Sequence, residues 1–126
     1  MDIQEVINQL ERLEGPSRRL DGEIAQLVGW KKKVEAFKDP KTGEARERLL
    51  WLVPSNNDEG IIPRYTLNIH DAYSLAQELS PDNVGGCSWI PGKGTAIIND
   101  GPYCEAASPP IALCIAALKA IQERPS

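Results

Sequence analysis

Apolar residues recur along this chain with two different periods. Ile3, Val6, Ile7, Leu10 and Leu13 fall on one stripe at helical spacing and predict a first helix over 2–14. Gly15-Pro16 stops it. Ser17 stands where an N-cap belongs, and Leu20, Ile24, Leu27 and Val28 form the apolar face of a second helix over 18–28, closed by Gly29. The pair reads as a helical hairpin with a tight corner. The period then changes. Val34 and Phe37, followed by Leu49 to Val53, flank the turn cluster Asp39-Pro40-Lys41-Thr42-Gly43, so antiparallel strands are expected over 33–38 and 47–53.

Residues 54–63 read as a polar loop ending at Pro63. Asn68 caps a third helix over 69–79, whose apolar face holds Ile69, Ala72, Tyr73, Ala76 and Leu79, with Asp71 in its first turn. Gly85-Gly86 leads into a second hairpin with strands over 87–90 and 95–99, turning at Pro91-Gly92 in the manner of a type II turn. Asn99-Asp100-Gly101-Pro102 is a further turn. Ser108-Pro109 supplies an N-cap and an N1 proline for a last helix over 109–122, apolar nearly all round and therefore central or set in a subunit interface. The expected fold is α+β: a small antiparallel sheet made of the two hairpins, covered by the N-terminal, central and C-terminal helices, in one domain spanning 1–126.

Composition narrows this picture. One Phe and one Met leave the core to Leu, Ile, Val and Ala, with the three Trp as its largest pieces. A net charge of −4 argues against general nucleic-acid binding, which needs surplus Lys and Arg to displace counterions. The short basic runs at Lys31-Lys32-Lys33 and at Arg46 and Arg48 read first as solvated strand edges. Cys87, Cys104 and Cys114 match no zinc spacing and cannot all pair, which predicts three thiols in a reducing, cytoplasmic compartment. Asp2 and Glu5 are wrong for a signal peptide, and no apolar run approaches a membrane span.

No catalytic residues, metal ligands or cofactor emerge from the pattern. Pro91-Gly92-Lys93-Gly94-Thr95 evokes a phosphate loop, but Gly94 follows the lysine and a strand follows the glycine. His70 beside Asp71 has no nucleophile signature near it, and neither Cys87 nor Cys104 has a basic neighbour to lower its pKa. The set most suggestive of a ligand site is Trp51, Arg64, Tyr65, Trp89 and Lys93: aromatic faces stack on a planar ligand while guanidinium and ammonium groups hold phosphate. The two tryptophans read equally as core filling.

Three stretches carry a resemblance. Gly15-Pro16-Ser17-Arg18-Arg19-Leu20-Asp21 running on to Leu27-Val28-Gly29-Trp30, then Pro63-Arg64-Tyr65-Thr66 leading to Ile69-His70-Asp71-Ala72, and the closing run from Ala106 to Ala120, are similar to small phage and prophage proteins with the phage ABA sandwich domain. The Lys-rich hairpin over 31–53 and the Pro109-Pro110 pair depart from that pattern. The resemblance implies a small α/β sandwich carried by phages and supplies no catalytic residues. The leading expectation is a non-enzymatic accessory protein, most concretely a homo-oligomeric sponge that sequesters an anionic, nucleotide-like signal and so counters host defence. The alternatives are a protein–protein inhibitor or assembly accessory acting through an apolar helix surface, and a small hydrolase.

Overall fold

Side chains fix where the helices begin. In the computed structural model, which describes residues 2–122, Asp2 accepts a hydrogen bond from Glu5 N at 2.8 Å and opens α1 (Ile3–Glu11). Ser17 accepts from Leu20 N at 3.2 Å and opens α2 (Arg18–Leu27), and Asn68 accepts from His70 N at 2.9 Å and opens α3 (Ile69–Leu79). The last helix, α4 (Pro109–Gln122), starts differently. Two leading prolines have no N–H to cap, the Ser108 carbonyl accepts from Ala112 N at 3.0 Å, and the Ser108 hydroxyl has no partner.

The strands are β1 (Lys31–Lys38), β2 (Ala45–Leu52), β3 (Glu59–Gly60), β4 (Gly85–Ile90), β5 (Lys93–Ile98) and β6 (Cys104–Ala106). The class is α+β with antiparallel hairpins, as expected. The hairpins do not join into one sheet, however. They form two three-stranded sheets, ordered β1-β2-β3 and β4-β5-β6. Each hairpin recruits its third strand from the loop behind it: β3 from the polar 54–63 loop and β6 from beyond the turn at Asn99. Strands of two and three residues are too short to show a period in sequence. Pro91-Gly92 turns β4 into β5 as predicted, with Gly92 at φ 77°, the value the second central position of a type II turn requires.

At the centre lies α4, where every residue from Pro110 to Leu118 is buried. It rests on β5 and β6, with α1 and α3 packed alongside. Gly94, Ala96 and Ile98 of β5 face it, and Gly94 is obligatory: a methyl there would overlap the Ser108–Pro109 peptide. Val6, Ile7, Leu10, Leu20, Ile24, Leu75, Ile111, Ile115 and Leu118 are fully buried, each contributing about 1.5–3 kcal/mol of transfer free energy. The tryptophans are not the largest core pieces. Trp30 and Trp51 are half-buried at the margin, and Trp89 is 74% exposed. The apolar character of α4 is therefore spent inside the chain, which removes it as a docking surface.

Loop 62–66 is fastened to the start of α2. Asp21, buried, accepts from Thr66 N and from Thr66 Oγ1, both at 2.8 Å, while Thr66 Oγ1 accepts from Ser17 N at 2.9 Å. Arg18 donates to the Ile62 carbonyl at 2.7 Å, to the Pro63 carbonyl at 2.9 Å and to Asp21 at 3.2 Å. The chain thus leaves the end of α2, runs out through β1, β2 and β3, and returns to the start of the same helix.

Candidate functional site

Between those two anchor points the β1–β2 hairpin stands away from the helices as an arm. In β1 only Glu35 and Phe37 are as much as half-buried, and β2 is part-buried at Leu50, Trp51 and Leu52 near the base. The register runs from Lys31 opposite Leu52 to Lys38 opposite Ala45, so the two basic runs share one hairpin. Residues 31–52 hold seven Lys and Arg against four Asp and Glu, giving the arm +3 and leaving −7 on the rest of the chain.

Alternation sorts the arm into two faces. One carries Lys33, Glu35, Phe37, Arg46 and Arg48, and is internally satisfied: Arg48 pairs with Glu35 at 3.1 Å and lies 5.7 Å from the Phe37 ring centroid. The other carries Lys32, Val34, Ala36, Lys38, Ala45, Glu47, Leu49 and Trp51, and much of it lies open, with Val34 61% and Leu49 52% exposed. A strand face with apolar groups and no layer over it is uncommon unless something else covers it.

At the base of that face two open clefts meet at Arg18, Leu49, Trp51 and Ile62. One, of about 450 Å³, continues along Glu59 to Ile61; the other, of about 330 Å³, continues toward Arg19, Gly22, Glu23 and Lys32. Gly22 lets the Trp51 ring settle onto α2, since a Cβ there would sit 3.2 Å from it. The Lys32 ammonium lies 5.5 Å from the ring centroid, close enough for a cation–π contact. Arg18 is committed to the carbonyls of loop 62–66, which leaves Arg19 and Lys32 as the cations best placed to meet an anion. These clefts are of a size to take a small ligand but are more open than sites that bury most of one.

The five residues singled out from sequence do not line one cleft. Trp51 belongs to the first sheet, and neither cleft beside it includes the other four. Arg64 lies in the connection to α3, exposed, with its N–H donating to Asp71 at 2.8 Å. Tyr65 is buried, and burial with the nearby Glu78 raises its phenol far above the ordinary range. Trp89 and Lys93 stand on the second sheet, where Lys93 pairs with Glu105 at 3.0 Å. Among the residues the sequence reading passed over are Arg18, Arg19, Lys32, Val34 and Leu49. The signal was present in the Lys31–Lys33 run, which read as a solvated strand edge, and in Val34 and Leu49, which served only to mark the strands.

Reactive groups offer little. Among the described residues no cluster of three or more His, Cys, Asp or Glu is arranged to hold a metal. The Cys114 thiol donates to the Tyr65 carbonyl at 3.3 Å, and burial first, then Asp21, pushes its pKa well above the usual thiol range. Cys87 is exposed on β4, Cys104 is buried, and none of the three forms a disulfide. No helix among the described residues is long and apolar enough to cross a membrane. The chain matches no protein-family model, no curated protein and no solved structure.

Proposed function

We propose that this chain is a non-enzymatic binding protein that works by contact with another protein, its β1–β2 arm lying on a partner surface that is acidic and carries apolar groups. The observation that carries the reading is the open arm face, where Val34 and Leu49 are uncovered beside Lys32 and Lys38 on an arm of net +3. Aliphatic groups beside charged ones, two lysines and Glu47 on this face, supply a desolvated centre and a steering rim, the division of labour found in protein interfaces. With the phage resemblance, this makes the protein a cytoplasmic accessory that blocks or scaffolds a partner through the arm rather than through α4. The test places a photo-crosslinking amino acid at Val34 or Leu49, with Gln77 on α3 as control. A discrete adduct from the arm positions, weakened by salt and absent at Gln77, is expected. Adducts from the arm no different from those at Gln77 would overturn the proposal.

A second reading keeps the nucleotide-like ligand and moves it to the Trp51 clefts. It is favoured by Arg19 and Lys32 standing with Trp51 beside an opening of about 330 Å³. In a thermal-shift screen against nucleotides, a ligand that binds only the folded protein raises Tm, and Lys32→Ala with Arg19→Ala removes the rise. No shift with any nucleotide discards it.

A further inference from the structure

We propose that β4 is the seam of a two-fold dimer, in which it pairs antiparallel with β4 of a second copy to join two three-stranded sheets into one of six. The strand lies at the edge of its sheet and all six of its residues are exposed. Val84 points its backbone toward β5, since its carbonyl accepts from Asn99 N at 2.7 Å and its N–H donates to the Asn99 side chain at 3.1 Å. Alternation then turns the N–H and C=O groups of Gly85, Cys87 and Trp89 outward, a row ready to pair with another strand. Edges of this kind are commonly guarded by Lys, Pro or a bulge. Here no residue from Val84 to Gly92 is charged, and the first proline, Pro91, lies beyond the strand in the turn.

Three features make a second copy the occupant. A strand related to itself by a two-fold axis pairs antiparallel, and an uncharged strand meets no like-charge repulsion in doing so. Centred on Cys87, the pairing sets Trp89 of one copy opposite Gly85 of the other and Val84 opposite Ile90, so that the largest side chain meets the smallest. Beside Gly85 the receptor already exists: a groove of about 400 Å³ between α3 and β4, lined by Tyr73, Ala76, Val84, Cys87 and Leu113. Trp89 shares the inward face of its sheet with Gly94 yet is 74% exposed, so little of its own chain covers the ring. Trp89 and Val84, each 74% exposed, with Ile90, Tyr73 and the paired backbone, form a patch that falls somewhat short of the roughly 800 Å² per partner of a standard interface and fits a dimer of modest affinity.

Sedimentation equilibrium at roughly 100 μM should give twice the chain mass of 13.9 kDa, a concentration that populates dimers of micromolar affinity. Cys87 is the exposed cysteine, so a short bis-maleimide should link the two copies through it. Trp89→Lys should weaken the dimer roughly 30-fold or more, as loss of a hot-spot anchor does. Gly86→Glu is the second variant, because a Cβ at Gly86 meets nothing within 4 Å and the monomer tolerates it. Val34→Ser with Leu49→Ser, on the arm, should leave the dimer intact. A wild-type monomer at that concentration overturns the proposal. So does a dimer that survives both β4 variants, or one lost with the arm variant instead.

Discussion

The buried link between Asp21 and Thr66 ties two segments 45 residues apart, and its strength can be worked out. Thr66→Val keeps the shape of the side chain, so no cavity opens. It removes the hydroxyl that donates to Asp21 at 2.8 Å and accepts from Ser17 N at 2.9 Å. A hydrogen bond to a charged group is worth about 1.5–3 kcal/mol, and a stranded donor costs about 1–3 kcal/mol where water cannot reach it. Ser17 is only half-buried, so the second cost falls at the low end. The expected loss is about 2–4 kcal/mol, a large share of the roughly 5–15 kcal/mol typical of a domain. Asp21→Asn should cost a similar amount, since the amide has one acceptor where the carboxylate serves Thr66 and Arg18. Because both changes break one network, the double variant should fall short of the sum by about 1–2 kcal/mol. Equilibrium urea unfolding of the four proteins measures this. Additivity within about 0.5 kcal/mol would refute the coupling and reduce the network to independent contacts.

Two further outcomes follow from the packing. Gly94→Ala should cost more than the roughly 1–3 kcal/mol of ordinary overpacking, because the added methyl meets the Ser108–Pro109 backbone; Gly86→Ala, with open space, should leave the melting temperature within a few degrees. Thermal melts of the two variants side by side decide it. Cys114 and Tyr65 hold their protons more tightly folded than unfolded, so stability is complete below the unfolded thiol pKa of about 8.5 and falls as pH rises beyond it. The decline should approach about 1.4 kcal/mol per pH unit from the thiol and steepen above about pH 10 as Tyr65 joins. Cys114→Ala should flatten the first part, and urea midpoints at several pH values would show a wild-type-like slope if the thiol is not responsible.

Helices were legible in this sequence because capping residues and a 3.6-residue period coincide at Ser17 and Asn68. The paired strands were legible through the turns at Asp39 to Gly43 and at Pro91-Gly92. What failed was arrangement. Nothing in a hairpin says which neighbour it joins, and β3 and β6 have too few residues to announce themselves. The site suffered from the same blindness. Trp51, Trp89 and Lys93 were grouped on the premise of one sheet, and the two sheets of the structure place Trp51 apart from the others. Gly94, the residue that spoils the phosphate-loop pattern of Pro91–Thr95, serves packing, while Val34 and Leu49, which marked two strands, lie open. The Gly15–Asp21 and Pro63–Thr66 stretches that carry the phage resemblance prove to be physically joined, through Arg18, Asp21 and Thr66.

That junction also explains why the arm can stand clear of the body without loosening it. The segment from β1 to β3 leaves from the end of α2 and is held on its return at the start of the same helix, where Arg18 and Asp21 bind loop 62–66. The core around α4 is complete without the arm, since α1, α3, β5 and β6 are its wrapping. A hairpin attached in this way contributes little buried apolar area and therefore little stability, yet it keeps eight paired positions in register. The same separation holds at β4, the exposed edge strand beside the buried face of β5. Core and contact surfaces are thus carried by different strands, so a substitution on the arm or on β4 reports on association while the stability of the fold stays with α4.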